Sequence, residues 1–151
     1  MPIVDQLRAE FWFYQQYVKK DNEIRNLSKK VIVDRAVLGL FCYSNMLGER
    51  SEVSARIMLR ARQRQWVPGL YVFLTARPEI LRERLISRQD SGAITHEDWE
   101  NGMSDFIRTL HRSAEDVARE SNSPLIDTSN KSPEEVLQEV KKLYDNFCIT
   151  S

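Results

Sequence analysis

The chain has 151 residues, of which 42% are hydrophobic and 29% are charged, and its formal net charge is zero. This size and composition are typical of one soluble domain with its own core, so we predict a single domain over residues 1–151 without a membrane-spanning segment. Zero net charge argues against a protein dominated by nucleic-acid binding, and two cysteines are too few for a disulfide scaffold, which favours a reducing, cytoplasmic environment.

The first predicted element is a helix over residues 3–26, because apolar side chains recur there at helical spacing. These side chains are Val4, Leu7, Phe11, Tyr14 and Val18. The apolar triplet at 31–33 then predicts a short buried strand that ends in Asp34 and Arg35. Because ligands bind at the carboxyl ends of strands in open α/β sheets, this charged pair is the first candidate site.

The rest of the chain alternates between helices and strands. Further helices are predicted at 36–47, 51–65, 78–88, 95–120 and from Ser132 onwards. Further strands are predicted at Leu70–Leu74 and Pro124–Asp127. Strands separated by helices imply parallel pairing, so the predicted fold is a three-layer α/β fold, a parallel sheet flanked by helices.

Four short motifs follow one another along the chain. They are Val31–Arg35, Leu70–Glu79, Leu81–Arg88 and Pro124–Ser129. Their order and spacing resemble the P-loop nucleoside and nucleotide kinases, and most closely the deoxynucleoside kinase and thymidylate kinase branch. The resemblance implies a protein that moves the terminal phosphate of ATP to a deoxynucleoside or a nucleoside monophosphate with the help of Mg²⁺.

The resemblance also implies roles for the charged residues in these motifs. Arg35 would contact the acceptor, and Asp34 would orient magnesium, its water or the acceptor hydroxyl. Arg84 and Arg88 are four residues apart on one helix and would stabilise the transferred phosphoryl group as part of a lid. The alternatives are a buried structural ion pair for the first two residues and a solvated arginine face for the other two.

Aromatic residues are concentrated in the first predicted helix. Phe11 and Tyr14 are candidates for stacking on a nucleobase, and the amides of Gln15 and Gln16 are candidates for reading a base edge. In the enzymes that the chain resembles, the helix before the Asp-Arg strand lines the acceptor-base pocket. The alternative is that aromatic residues at helical spacing belong to the core, and an aromatic surface on this helix also suggests a homodimer.

A further candidate segment follows the last predicted strand. By the resemblance, Asp127, Thr128 and Ser129 would lie beside the adenine of ATP. The alternative is that Asp127 caps local backbone amides. His96 and His111 have no cysteine or carboxylate cluster at metal-ligand spacing, so no zinc site is predicted.

The phosphate loop of the family, G-x-x-x-x-G-K-[ST], does not occur in this sequence, in which the first glycine is Gly39. Three explanations are a truncated gene product, which we favour, a separate second half, and a degenerate non-catalytic relative. We expect the chain to be inactive by itself. The alternative function is a non-catalytic nucleoside-binding or regulatory protein.

A different class of function is suggested by an arginine-rich segment. Arg56, Arg60 and Arg64 are spaced four residues apart and would form a stripe that holds the phosphates of a nucleic acid or an acidic partner. The alternative is a solvated charged face. Zero net charge makes the nucleic-acid hypothesis the less favoured one.

Overall fold

The computed structural model describes residues 3–46, 52–87 and 104–150. The chain divides into two compact units, Met1–Gly69 and Leu70–Ser151. Within the described residues helices predominate, and the one sheet has two strands. The prediction of a three-layer parallel sheet flanked by helices is therefore wrong. No helix in the described part of the chain is long and apolar enough to cross a bilayer.

Unit 1 is a group of three mutually contacting helices. They are α1 (Ile3–Arg25), α2 (Val37–Met46) and α3 (Glu52–Gln63). The buried apolar side chains come from α2 and α3, namely Val37, Leu40, Phe41, Cys42, Met58 and Ala61. Burial of this set against α1 explains why these three segments fold as helices where their apolar spacing predicts them.

The strand predicted at 31–34 is not formed, and this segment has irregular backbone. A strand needs a hydrogen-bonded neighbour, and the described residues of unit 1 contain no other strand. The apolar triplet was expected to be buried, but Val31 is exposed and Ile32 is fully exposed. Asp34 and Arg35 consequently lie in a bend just before α2 rather than at a sheet edge.

Unit 2 contains both strands and three helices. In chain order these elements are β1 (Phe73–Thr75), α4 (Pro78–Ser87), α5 (Ser104–Glu120), β2 (Leu125–Asp127) and α6 (Pro133–Thr150). The two strands pair in parallel, with Phe73 opposite Leu125 and Thr75 opposite Asp127. Helix α5 contacts both β1 and α4, and its buried residues include Ile107 and Val117.

Burial along the strand pair is uneven. Ala76 and Ile126 are buried, whereas Leu74 and Leu125 remain exposed. Leu74 lies opposite Ile126 in the register and shares its face of the sheet, so the described residues cover this face only in part. Arg88 and the predicted helix start at Thr95 lie outside the described residues.

Candidate functional site

A surface pocket of about 300 Å³ lies on unit 1, between the outer part of α1 and the bend before α2. Its lining residues are Trp12, Phe13, Gln16, Tyr17, Lys19, Lys20, Glu23 and Arg35. Seven of these eight residues belong to α1. Only Arg35 is contributed from outside this helix.

Helical periodicity explains which α1 residues line the pocket. Trp12, Gln16, Lys19 and Glu23 are spaced by three or four residues and therefore share one face of the helix. At about 1.5 Å per residue, Lys19 lies roughly 10 Å along the helix axis from Trp12. One end of the pocket wall is therefore aromatic and the other end carries the lysines.

The aromatic end is built from rings that contact one another. Trp12 and Phe13 meet edge to face with ring centroids 5.0 Å apart, and Phe13 stacks parallel to Tyr43 of α2 at 6.5 Å. Trp12 is nevertheless 54% exposed. An aromatic ring that is held by a neighbouring ring and remains about half exposed can stack on a planar ligand.

The cationic end depends on contacts between α1 and the bend. Lys20 Nζ donates hydrogen bonds to the main-chain oxygens of Asp34, at 2.8 Å, and of Arg35, at 3.2 Å. Arg35 has a φ of 60°, in the left-handed region that non-glycine residues seldom adopt. Lys19, Lys20 and Arg35 supply three positive charges, which Glu23 offsets by one.

Tyr17 occupies the middle of the pocket and lies against Gly39 of α2. Its burial raises the pKa of the phenol, and the nearby Arg35 guanidinium offsets only part of this effect. The hydroxyl therefore stays protonated at neutral pH. It can both donate and accept a hydrogen bond beside the cationic end.

Of the site residues predicted in unit 1, the structure brings Gln16 and Arg35 together in this pocket. Both Asp34 and Arg35 are exposed, which excludes the buried ion pair considered for them. Asp34 contributes its main-chain oxygen to the contact with Lys20.

The other predicted base-binding residues do not line this pocket. Tyr14 meets Trp66 edge to face at 6.5 Å, so its ring packs within unit 1. Phe11 is half exposed, and Gln15 is exposed on a different strip of α1. Phe11 and Tyr14 share a face of α1 with Val18, and a role of these two residues in base binding stays a prediction.

Sequence reasoning missed six pocket residues, all on α1. They are Trp12, Phe13, Tyr17, Lys19, Lys20 and Glu23. Helical spacing from Trp12 through Gln16 and Lys19 to Glu23 identifies three of the six. This strip changes from aromatic to charged along its length, which a core-facing strip does not do.

A buried carboxylate on α1 holds the segment that follows α3. Asp21 is 5% exposed and accepts hydrogen bonds from Val67 N at 2.6 Å, Arg25 Nε at 3.0 Å and Arg64 Nη2 at 3.0 Å. Burial acts to raise the pKa of Asp21, but these three hydrogen bonds outweigh it and lower the pKa. The charged Asp21 carboxylate therefore joins α1 to Arg64 and Val67, which follow α3.

The arginine stripe suggested for nucleic-acid binding is largely engaged within unit 1. Arg64 also donates to Asn22 Oδ1 at 3.0 Å and lies over the Trp66 ring. Arg56 forms an ion pair with Glu52. These contacts reduce the positive charge that the stripe presents to a partner.

In unit 2, the structure joins two of the predicted motifs. Arg84 Nη1 donates to Thr128 Oγ1 at 2.9 Å, and Arg84 Nη2 donates to the Thr128 main-chain oxygen at 2.7 Å. Thr128 N and Oγ1 both donate to the Thr75 oxygen at 2.8 Å. The guanidinium therefore ties α4 to the segment that follows β2.

Asp127 and Ser129 bind each other at the start of the same turn. Asp127 Oδ1 accepts hydrogen bonds from Ser129 Oγ at 2.5 Å and Ser129 N at 2.8 Å. These bonds lower the pKa of Asp127. This geometry is the local capping considered as the alternative for Asp127. Arg88, the remaining predicted catalytic residue, lies outside the described residues.

Within residues 3–46, 52–87 and 104–150, no group of three or more histidine, cysteine, aspartate or glutamate side chains is placed to hold a metal ion. No family model matches the chain, and no curated protein or solved structure matches it.

Proposed function

We propose that the pocket on unit 1 binds a nucleoside or a nucleoside monophosphate, the acceptor class implied by the resemblance to nucleoside and nucleotide kinases. The observation that carries this proposal is the change along α1 from an aromatic end to a cationic end. Trp12 and Phe13 lie at the first end, and Lys19, Lys20 and Arg35 lie at the second. A nucleotide would fit this arrangement, because it has a planar base at one end and an anionic phosphate at the other.

The aromatic end suits the base. Stacking of a base on an aromatic side chain contributes about 1–3 kcal/mol and tolerates any base, because every base has a π face. Gln16 lies one helical turn from Trp12, and its amide offers both a donor and acceptors to a base edge. Stacking thus supplies affinity, and Gln16 supplies part of the selectivity.

The cationic end suits the sugar and the phosphate. Roughly 10 Å separates Trp12 from Lys19 along the helix axis, which is comparable with the length of a nucleoside monophosphate. Arg35 offers a planar fork of donors that matches phosphate oxygens, and the lysines act as point charges. Tyr17 lies between the two ends along α1, and its hydroxyl can donate to or accept from a sugar hydroxyl.

The proposal concerns binding of the acceptor and not phosphate transfer by this chain. The sequence contains no G-x-x-x-x-G-K-[ST] loop, whose backbone and lysine cradle the donor phosphates in the family. We therefore expect no ATP-dependent transfer from the chain alone. ATP and Mg²⁺ stay predictions of the resemblance.

Isothermal titration calorimetry tests the proposal with a panel of deoxynucleosides and their 5′-monophosphates. We expect one ligand per chain, and about tenfold weaker binding in Trp12→Ala because a stacking contact is lost. Phe106→Ala is the control, since Phe106 is a similarly exposed aromatic residue on α5. Absence of binding by the whole panel, or equal weakening in both variants, would overturn the proposal.

A further inference from the structure

We infer that Lys20 is a positioning residue that holds the bend at Asp34 and Arg35 in the conformation in which Arg35 lines the pocket. The ligand-related part of this inference rests on the proposed function. The observation itself does not depend on a ligand. It is the pair of hydrogen bonds from Lys20 Nζ to the two consecutive main-chain oxygens of the bend.

The bend needs such a contact because its backbone is unfavourable. A non-glycine residue in the left-handed region is unfavourable because its Cβ lies too close to the following carbonyl oxygen. Arg35 adopts this conformation with a φ of 60°. Two hydrogen bonds from the charged Lys20 ammonium to this backbone stabilise the conformation.

Packing on the N-terminal side of the bend provides little alternative support. Val31 is exposed, Ile32 is fully exposed, and this segment has no regular secondary structure. On the C-terminal side the chain enters α2 directly, with Gly39 N donating to Ala36 O at 2.9 Å. The link to α1 through Lys20 therefore fixes the bend relative to the pocket wall.

Lys20 is also suited to join the bend to a bound anion. An ammonium group has three N–H donors, and two of them are used on the main-chain oxygens. Lys20 itself lines the pocket, so the third donor can reach a phosphate oxygen there. Lys19 lines the same pocket but makes no hydrogen bond to the bend in the described part of the chain.

Limited trypsin digestion tests the positioning role without any ligand. Cleavage after Arg35, followed by mass spectrometry, should be several-fold faster in Lys20→Met, because the released bend fits a protease more readily. Lys19→Met should cleave at the wild-type rate, and Lys20→Arg, which keeps the charge and several donors, should restore most of the protection. Equal cleavage after Arg35 in all four proteins would overturn the inference.

Circular dichroism of the same variants separates a local effect from a general one. We expect Lys20→Met to keep the wild-type helical signal and nearly the same melting temperature, since Lys20 contacts only the bend through these bonds. Loss of the folded state in Lys20→Met would contradict the inference, because Lys20 would then support the whole unit.

A binding measurement then tests the consequence for the ligand. Lys20→Met should weaken binding of a 5′-monophosphate by about tenfold and binding of the unphosphorylated nucleoside by less than about twofold. Equal weakening of the two ligands would contradict a role at the anion end. If wild-type protein binds neither ligand, the proposed function fails, whereas the digestion result still decides the positioning role.

Discussion

Arg84 holds Thr128 through both arms of its guanidinium, with one hydrogen bond to the side-chain oxygen and one to the main-chain oxygen. The bonds are 2.9 and 2.7 Å long and join α4 to the turn after β2. Arg84, which the resemblance predicts to be catalytic, therefore has a structural role in unit 2.

Replacement of Arg84 should destabilise the protein. Arg84→Ala removes both hydrogen bonds from a partly buried site, and we expect the free energy of unfolding to fall by about 2 kcal/mol. Urea denaturation measures this change. The control is Arg119→Ala, whose exposed ion pair with Asp116 should be worth no more than about 0.5 kcal/mol. A fall in Arg84→Ala no larger than in the control would contradict the structural role.

Asp21 should make unit 1 sensitive to acid. Its pKa is lowered in the folded state, so its contribution to stability is fully present above the unfolded pKa, about 3.9, and is lost as the pH falls through the folded value. Asp21→Asn should lower the free energy of unfolding at pH 7 by about 3 kcal/mol. The difference between wild type and variant should shrink below about pH 4.

Urea denaturation at several pH values checks this prediction. Asp145→Asn is the matched control, because Asp145 is exposed on α6 and should show neither effect. A constant difference between wild type and Asp21→Asn across the pH range would show that the Asp21 charge is not what holds the segment after α3.

A residue with left-handed backbone follows the C-terminus of α5. Asn122 has a φ of 50°, and Ser123 N donates to Ala118 O at 2.8 Å, as in a Schellman motif. Asn122→Gly should stabilise the protein slightly, whereas Asn122→Ala should destabilise it by about 1 kcal/mol. Thermal unfolding of both variants tests the order. A more stable alanine variant would exclude the left-handed conformation.

The two thiols should differ sharply in reactivity. Cys42 is buried, and burial raises its pKa to about 11, so little thiolate forms at pH 8. Cys148 is exposed on α6. A thiol reagent such as iodoacetamide should therefore label Cys148 in the folded protein and both cysteines in denaturant. Rapid labelling of Cys42 in the folded protein, located by mass spectrometry, would contradict the burial of α2.

Local signals predict the helices well because their causes are local. The prediction from Ser132 onwards is confirmed by the structure, in which Ser132 N donates to Glu135 Oε2 and Glu135 N donates to Ser132 Oγ. Pro78 likewise begins α4 at the residue where its fixed φ predicts a helix start. Neither signal requires knowledge of a distant residue.

The strands and the site depend on distant partners, and there the sequence was less informative. The triplet at 31–33 has the composition of a buried strand, yet a strand forms only with a neighbour that a sequence pattern cannot supply. The packing of the aromatic residues on α1 likewise depends on partners elsewhere in the chain. The Tyr14 ring packs edge to face against Trp66, and the Phe13 ring stacks on Tyr43. Neither contact can be predicted from the local sequence.

Nucleotide binding at the pocket on α1 is tested most directly by photo-crosslinking, followed by tryptic mapping. The probe is a nucleoside 5′-monophosphate that carries an azide on its base. We expect the label in the peptide over residues 9–19, which contains the aromatic end of the pocket, and we expect excess unlabelled nucleotide to remove it. Labelling confined to other peptides, or labelling that unlabelled nucleotide does not reduce, would contradict nucleotide binding at this pocket.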